Sequence, residues 1–211
     1  MVVNQLNKNS WIFIGIILVV LIAGSSIILN QYNNSVTINI ETNGTEISVE
    51  AATLPFNDVP EDMEQGILNY LVDAIKSPDS TLESIKSDVK LISKNYDYTE
   101  VNVNLKSQFG ENQLPMPAVV SGNSMYPTLK DGQDLIILKT ENFKVGDIVI
   151  SKHNEYDLIV KRVGKIENNR VYLMSDNKEV ETIYEGNYIV TKTPLNTWVP
   201  RNYVIGIVKD Y

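Results

Sequence analysis

The chain contains no cysteine and a single histidine, His153. Without cysteine there are no disulfides, thiolate metal sites or cysteine nucleophiles, and an exported chain of this kind must draw its stability from its core. No metal or cofactor is expected. Basic residues are also scarce: 18 Lys and Arg face 26 Asp and Glu, for a formal net charge of −8. They are dispersed along the chain, whereas a phosphate-binding surface needs them clustered, so no nucleic-acid partner is expected. His153 sits near a turn and reads as a surface histidine.

What is present is uneven. Trp11–Leu29 is a run of nineteen residues without a charge. It is long enough to span a bilayer core at about 1.5 Å per helical residue. Lys8 precedes it and no Lys or Arg follows until Lys76, while Glu41, Glu46, Glu50 and Asp58 occupy the far side. The positive-inside rule then places residues 1–10 in the cytoplasm, 11–29 in the membrane as a single-pass anchor, and the remainder outside. A cleavable signal peptide cut near Ala23, Gly24 and Ser25 is the alternative, although Ile27-Ile28-Leu29 continues past those small residues. Asn33 and Asn43 begin glycosylation sequons on the outer side.

Residues 36–106 read as a small α+β module. Val36, Ile38 and Ile40 alternate, Asn43-Gly44 suggests a type I′ turn, and Ile47 and Val49 alternate on the return strand. Met63, Ile67, Leu68, Leu71, Val72 and Ile75 then recur at helical spacing. A second helix carries Leu82, Ile85, Val89 and Ile92, with Ser80 and Glu83 as a capping box. Val101, Val103 and Leu105 form a third strand. Its acidic side chains suit a solvated face, a spacer or a substrate-presenting surface. Residues 107–117, with Gly110, Pro115 and Pro117, read as a linker. From 118 to 211 the pattern is β, with strands expected at Leu135–Leu138, Asp147–Ser151, Leu158–Val163, Val171–Met174, Tyr188–Val190 and Val204–Val208. The fold class is thus a mainly β domain of sheets coiled on one another, preceded by the transmembrane helix and the α+β module.

Chemistry concentrates at Val119–Leu129. Two valines bring the backbone in, Gly122 and Asn123 tolerate a left-handed bend, and Tyr126-Pro127 ends regular structure. A serine on such a bend, Ser124, projects its hydroxyl outward; it needs a neighbouring base to become a nucleophile. Lys161 lies within the apolar strand Leu158–Val163, where burial lowers a lysine's pKa and makes it a candidate base. Taken singly, Ser124 reads as a turn cap and Lys161 as an exposed strand lysine.

Taken together, Ser121-Gly122-Asn123-Ser124-Met125-Tyr126-Pro127-Thr128-Leu129, Val145-Gly146-Asp147-Ile148-Val149, Ile159-Val160-Lys161-Arg162-Val163, Ser175-Asp176-Asn177 and Val199–Gly206 resemble, in order and spacing, the boxes of type I signal peptidases. The resemblance covers roughly residues 117–209. It implies a coiled β fold, Ser124 as nucleophile and Lys161 as general base. The implied partners are precursor proteins carrying signal peptides, cut after small residues, together with the lipid bilayer and the secretion machinery. The nucleophile's own N–H is the implied oxyanion donor. Bacterial members add a serine hydroxyl two positions before the nucleophile; Gly122 stands there, with Ser121 one residue further back. Met125 lines the substrate pocket or fills core. Asp176, in a box that reads Ser rather than Gly at its first position, orients a neighbour or compensates charge. Asp147 reads as a turn residue, and Arg162, on the face opposite Lys161, as a packing residue or a carboxylate's partner. Trp198 suits either a lipid interface or the β core. Many archaeal and endoplasmic-reticulum relatives carry histidine where this chain has Lys161.

Two other functions fit less of the sequence. A self-cleaving repressor shares a Ser–Lys peptidase domain and a Gly-x-Ser-Met box, but calls for a DNA-binding helix-turn-helix. A catalytically silent, membrane-anchored binding protein of the same fold would have no need of both Ser124 and Lys161.

Overall fold

The computed structural model describes residues 19–22, 34–53, 58–186 and 188–211. Apart from a helical stretch at 19–22, the expected anchor Trp11–Leu29 lies outside the described residues, as does Asn33; among the described residues no helix is long and apolar enough to cross a membrane.

The module is a four-stranded sheet, order β2-β1-β3-β4, carrying two helices. Strand β1 (Ser35–Thr42) pairs antiparallel with β2 (Ile47–Ala52) and parallel with β3 (Glu100–Ser107). A parallel pair needs a long crossover, and α1 (Glu61–Ala74) and α2 (Leu82–Lys94) supply it. Their apolar stripes, including Met63, Ile67, Leu71, Ile85 and Val89, close on Ile38, Ile40 and Leu105 to form one core. Full burial of each such side chain contributes about 1.5–3 kcal/mol. Acidic Glu61, Asp62 and Glu64 fill the first turn of α1, where they suit the helix dipole. Glu64 also accepts the Ala51 N–H at 2.6 Å, which satisfies a donor on edge strand β2.

Two local readings change. The hairpin loop is four residues, Asn43 to Glu46, because Thr42 and Ile47 are the last pair. Asn43 does not adopt the positive φ that a type I′ turn requires. Its Oδ1 instead accepts the N–H groups of Thr45 and Glu46, at 3.0 and 2.8 Å. The capping box of α2 is Thr81 with Ser84, one residue later than Ser80 with Glu83.

The stretch 107–117 is not a linker. Gly110–Glu111 forms β4 against β3, Leu114 is buried in the module core, and Pro115–Val119 is β5 of the second sheet. Its prolines are tolerated because β5 is an edge strand.

The second sheet has seven antiparallel strands, order β12-β9-β8-β7-β13-β6-β5. Its members are β6 (Asp134–Lys139), β7 (Ile148–His153), β8 (Asp157–Glu167), β9 (Arg170–Met174), β12 (Thr197–Pro200) and β13 (Val204–Asp210), with β5. Irregularities at Val204–Gly206, Val208–Asp210 and Val163–Lys165 bend the sheet. It coils enough that β7 is covered on both faces: Ile148 and Ile150 enter one core with Met116, Leu129 and Ile137, and Val149 enters another with Val163, Leu173 and Ile207. This is the expected coiled, mainly β architecture. Two strands had no signal in the sequence: β12, which contains Trp198, and β10 (Glu181–Glu185), paired with β11 (Tyr188–Lys192) as a separate hairpin. Trp198 is half-buried against Tyr172, with Arg170 over its ring, and Val199 is buried.

Gly206, in the last of the sequence boxes, has a steric reason. It pairs with both Lys139 and Ile150, and a Cβ there would lie 2.2 Å from the Leu138 carbonyl oxygen. Gly206→Ala is therefore expected to cost about 3 kcal/mol or more, since overpacking against backbone has no rotamer escape. A urea midpoint equal to that of the wild type would refute this.

Candidate active site

Ser124 lies on the bend after β5, half-buried, and Lys161 lies mid-strand in β8, only 4% exposed. Strand alternation turns Ile159, Lys161 and Val163 to one face and Arg162 to the other. The Lys161 Nζ–Ser124 Oγ distance is 2.7 Å, and the ammonium's other partner is the Val160 carbonyl at 3.1 Å. Among the described residues no carboxylate contacts Lys161. Burial alone lowers its pKa to about 8. A lysine so placed can hold the serine's proton at mildly alkaline pH, which a solvated lysine cannot.

The bend is held from several sides. Gly122, at φ 88°, donates its N–H to Asp131 at 2.8 Å, and the Asn123 carbonyl accepts from Tyr126 N–H at 3.0 Å. Asn177 then grips the bend twice: its backbone N–H donates to the Ser124 carbonyl at 3.0 Å and its side-chain amide to the Asn123 carbonyl at 3.1 Å.

Asp176 sits beside this grip and faces away from the dyad. Its carboxylate accepts from Arg162 Nε at 2.8 Å and from a terminal guanidinium nitrogen at 2.5 Å, and from Thr128 Oγ1 at 2.6 Å. The Arg162 hydrogen bonds, helped by Thr128, hold its carboxyl below the usual range. Arg162 also donates to the Gly146 carbonyl at 2.7 Å. The Asp176 carboxylate therefore ties the residue after Lys161 to the residue four after Ser124, and Arg162 extends the link to the glycine of the Gly146-Asp147 box. Asp147 caps its own turn by accepting the Lys144 N–H.

Ser175 is 1% exposed, and its hydroxyl donates to the Leu195 carbonyl at 2.8 Å. That bond anchors the box in which glycine was expected.

A cleft of about 380 Å³ opens at the dyad, lined by Ser121, Ser124 and Lys161 with Ala118, Val119, Leu135, Ile150, Leu158 and Leu195. Ser121 thus reaches the cleft, whereas Gly122 has its N–H committed to Asp131. Met125 does not line the cleft: it is fully buried in the core with Met116, Leu129 and Leu135. His153 ends β7, accepts the Glu155 N–H on Nδ1 and packs at a tilt against Tyr156, which lines the cleft; among the described residues His153 bonds to neither Ser124 nor Lys161. Sequence reasoning missed Asn177 and Thr128. Asn177 was legible as the third member of its box, but Thr128 had no signal beyond its place after Pro127.

Fold and dyad together define a serine-peptidase domain of the Ser–Lys type. Residues 106–189, which contain both Ser124 and Lys161, match the family described as Peptidase S24-like. The match supports that broad class of Ser–Lys peptidases, in which signal peptidases and self-cleaving repressors both fall, and does not single out the former. No curated protein matches the chain.

Proposed function

We propose that the protein is a membrane-anchored serine endopeptidase that removes signal peptides from exported precursors, with Ser124 as nucleophile and Lys161 as general base. The observation that carries the reading is the 2.7 Å contact between a hydroxyl at the mouth of an apolar cleft and a buried lysine that has no carboxylate partner among the described residues. The walls at Ala118, Leu135, Ile150 and Leu158 suit small apolar side chains of an extended peptide. The uncharged run Trp11–Leu29 supports anchoring where such precursors emerge.

In this mechanism Ser124 Oγ bonds to the scissile carbonyl carbon while Lys161 takes its proton. The Ser124 N–H, which has no acceptor among the described residues, would face the oxyanion. Collapse breaks the C–N bond, and Lys161 gives its proton to the departing amine. A water, deprotonated by the same lysine, then bonds to the acyl carbon; the bond from that carbon to Ser124 Oγ breaks, and Lys161 returns the proton to Oγ.

The S24-like match favours a second reading, cleavage of the chain by itself as in self-cleaving repressors. The net charge of −8 weighs against a DNA-bound partner for that role. One experiment separates the two. Vesicles containing wild type or Ser124→Ala are given a precursor with small residues at positions −3 and −1, and both proteins are followed by mass. Signal-peptide cleavage is expected to fall by at least about 10³-fold in Ser124→Ala, with the enzyme intact throughout. Shortening of the enzyme with the precursor untouched would replace this reading by the second.

A further inference from the structure

The module outside the peptidase match has an orientation with a consequence. The loops at one of its ends press on the β domain. Gly44 packs against Ile136 and Pro115, and a Cβ there would lie 3.3–3.4 Å from them. Lys139, at the end of β6, inserts its ammonium between the α1 and α2 helices and donates to the Ser77 and Ser80 carbonyls at 2.5 and 2.6 Å. Lys152 of β7 forms an ion pair with Asp79 in the same turn. Two lysines of the catalytic sheet thus clasp one four-residue turn of the module. The sheets are also continuous in sequence, since Leu114 closes the module core immediately before Pro115 opens β5.

The chain enters the module at the opposite end. The Asn34 carbonyl accepts from Thr99 and Glu100, and β1 then runs eight residues, paired in parallel with β3, before reaching Gly44. That is on the order of 25 Å at about 3.3 Å per strand residue. Ser124 follows β5, whose first residue, Pro115, packs on Gly44, so the nucleophile belongs to the sheet attached at that end. Only five residues separate Leu29, the last of the uncharged run, from Ser35 at the start of β1.

We infer that the module is a rigid standoff that holds the cleft about one strand length or more from the membrane, so that the protein selects precursors whose cleavage site is presented that far from the bilayer. This rests on the membrane-anchored reading above. It adds a length requirement to the sequence requirement of the cleft: a scissile bond that reaches Ser124 needs about eight extended residues between the apolar segment and the cut. The clasp of Lys139 and Lys152 on the Ser77–Ser80 turn keeps that length fixed.

The absence of cysteine allows a clean test. Glu100→Cys, at the end where the chain enters, and Lys130→Cys, beyond the nucleophile bend, are each labelled with a fluorescent donor in the full chain. Both are reconstituted in phosphatidylcholine vesicles carrying a headgroup acceptor. Energy transfer is expected to be strong from position 100 and at least several-fold weaker from position 130. In parallel, precursors with zero to twelve inserted Gly-Ser residues before the cut are expected to be cleaved at least tenfold faster near eight than at zero. The double variant Lys139→Met/Asp79→Ala is expected to flatten that length profile while cleavage of a short soluble peptide persists. Equal transfer from the two positions, or fastest cleavage without an insert, overturns the standoff. A chain that does not float with vesicles overturns the membrane reading itself, and is a different result from floating with equal transfer.

Discussion

Lys161→Met is expected to lower peptide cleavage by about 10³-fold or more and, at neutral pH, to make the fold more stable. The loss follows from geometry: Nζ is the only basic nitrogen at Ser124 Oγ among the described residues, and Met offers none. The gain follows from burial. In the unfolded chain the lysine has its ordinary pKa, about 10.4. In the fold, burial lowers it to about 8. Between these values the unfolded state binds more protons than the folded state, so stability rises with pH from about 8 to about 10.4. Below about 8 the whole penalty is present, and it amounts to roughly 3 kcal/mol before the hydrogen bond to Ser124 is deducted. A methionine of similar volume removes the penalty without opening a cavity. A net gain of about 2 kcal/mol, or about 5 °C in melting temperature, is expected at pH 7 and should vanish above pH 10. The same pKa sets the wild-type rate. Cleavage should rise about tenfold per pH unit below about 8 and level above it, because only neutral Lys161 can accept the serine's proton. A rate flat from pH 6 to 9, or a destabilised Lys161→Met, would show that the lysine is not buried uncompensated at the reacting serine.

Ser124 and Lys161 could be paired from sequence because the boxes around them, in order and spacing, resemble those of a known family of Ser–Lys peptidases; singly, Ser124 reads as a turn cap and Lys161 as an exposed strand lysine. The central strands were equally legible, since β6, β7, β8, β9 and β13 are dense in Val, Ile and Leu. What escaped was settled by partners far along the chain. β12 contains Pro200 beside Trp198 and Val199, and only its pairing with β9 makes it a strand. The turn residues of 107–117 suggested a linker, but Gly110 closes a tight return onto β3 and the two prolines lie on an edge. Met125 follows the nucleophile in sequence, yet alternation along the bend drives it into the core rather than into the cleft. Asn43-Gly44 carries a strong hairpin signal, but the Asn43 side chain caps a longer loop, and Gly44, at φ 94°, fits against the neighbouring sheet.

Asp176→Ala should impair the enzyme without touching substrate, because the carboxylate joins the two halves of the dyad through their neighbours. Arg162 follows Lys161 on β8, and Thr128 lies one turn past Ser124; both donate to Asp176. Removing it leaves a guanidinium whose side chain is only 32% exposed without its charge partner. Fully buried pairs cost 3–5 kcal/mol when one partner is removed and exposed pairs almost nothing, so about 2 kcal/mol is expected here. The pH dependence has a definite sign. Arg162 first, then Thr128, holds the Asp176 carboxyl below its usual range, so its contribution is fully present above about pH 4 and is lost as pH falls through the lower, folded-state value. Wild type should accordingly lose its advantage over Asp176→Ala in acid. The kinetic effect is separable from the loss of stability. A shift of about 1 Å between nucleophile and base can cost about 10²-fold in rate, so kcat should fall by roughly 10–100-fold with KM little changed and the alkaline limb still centred near Lys161's pKa. Asp176→Asn keeps an acceptor for Thr128 or Arg162 and should restore part of kcat. If Asp176→Ala is less stable but turns over at the wild-type rate, Asn177 alone holds the bend, and the carboxylate serves the fold rather than the reaction.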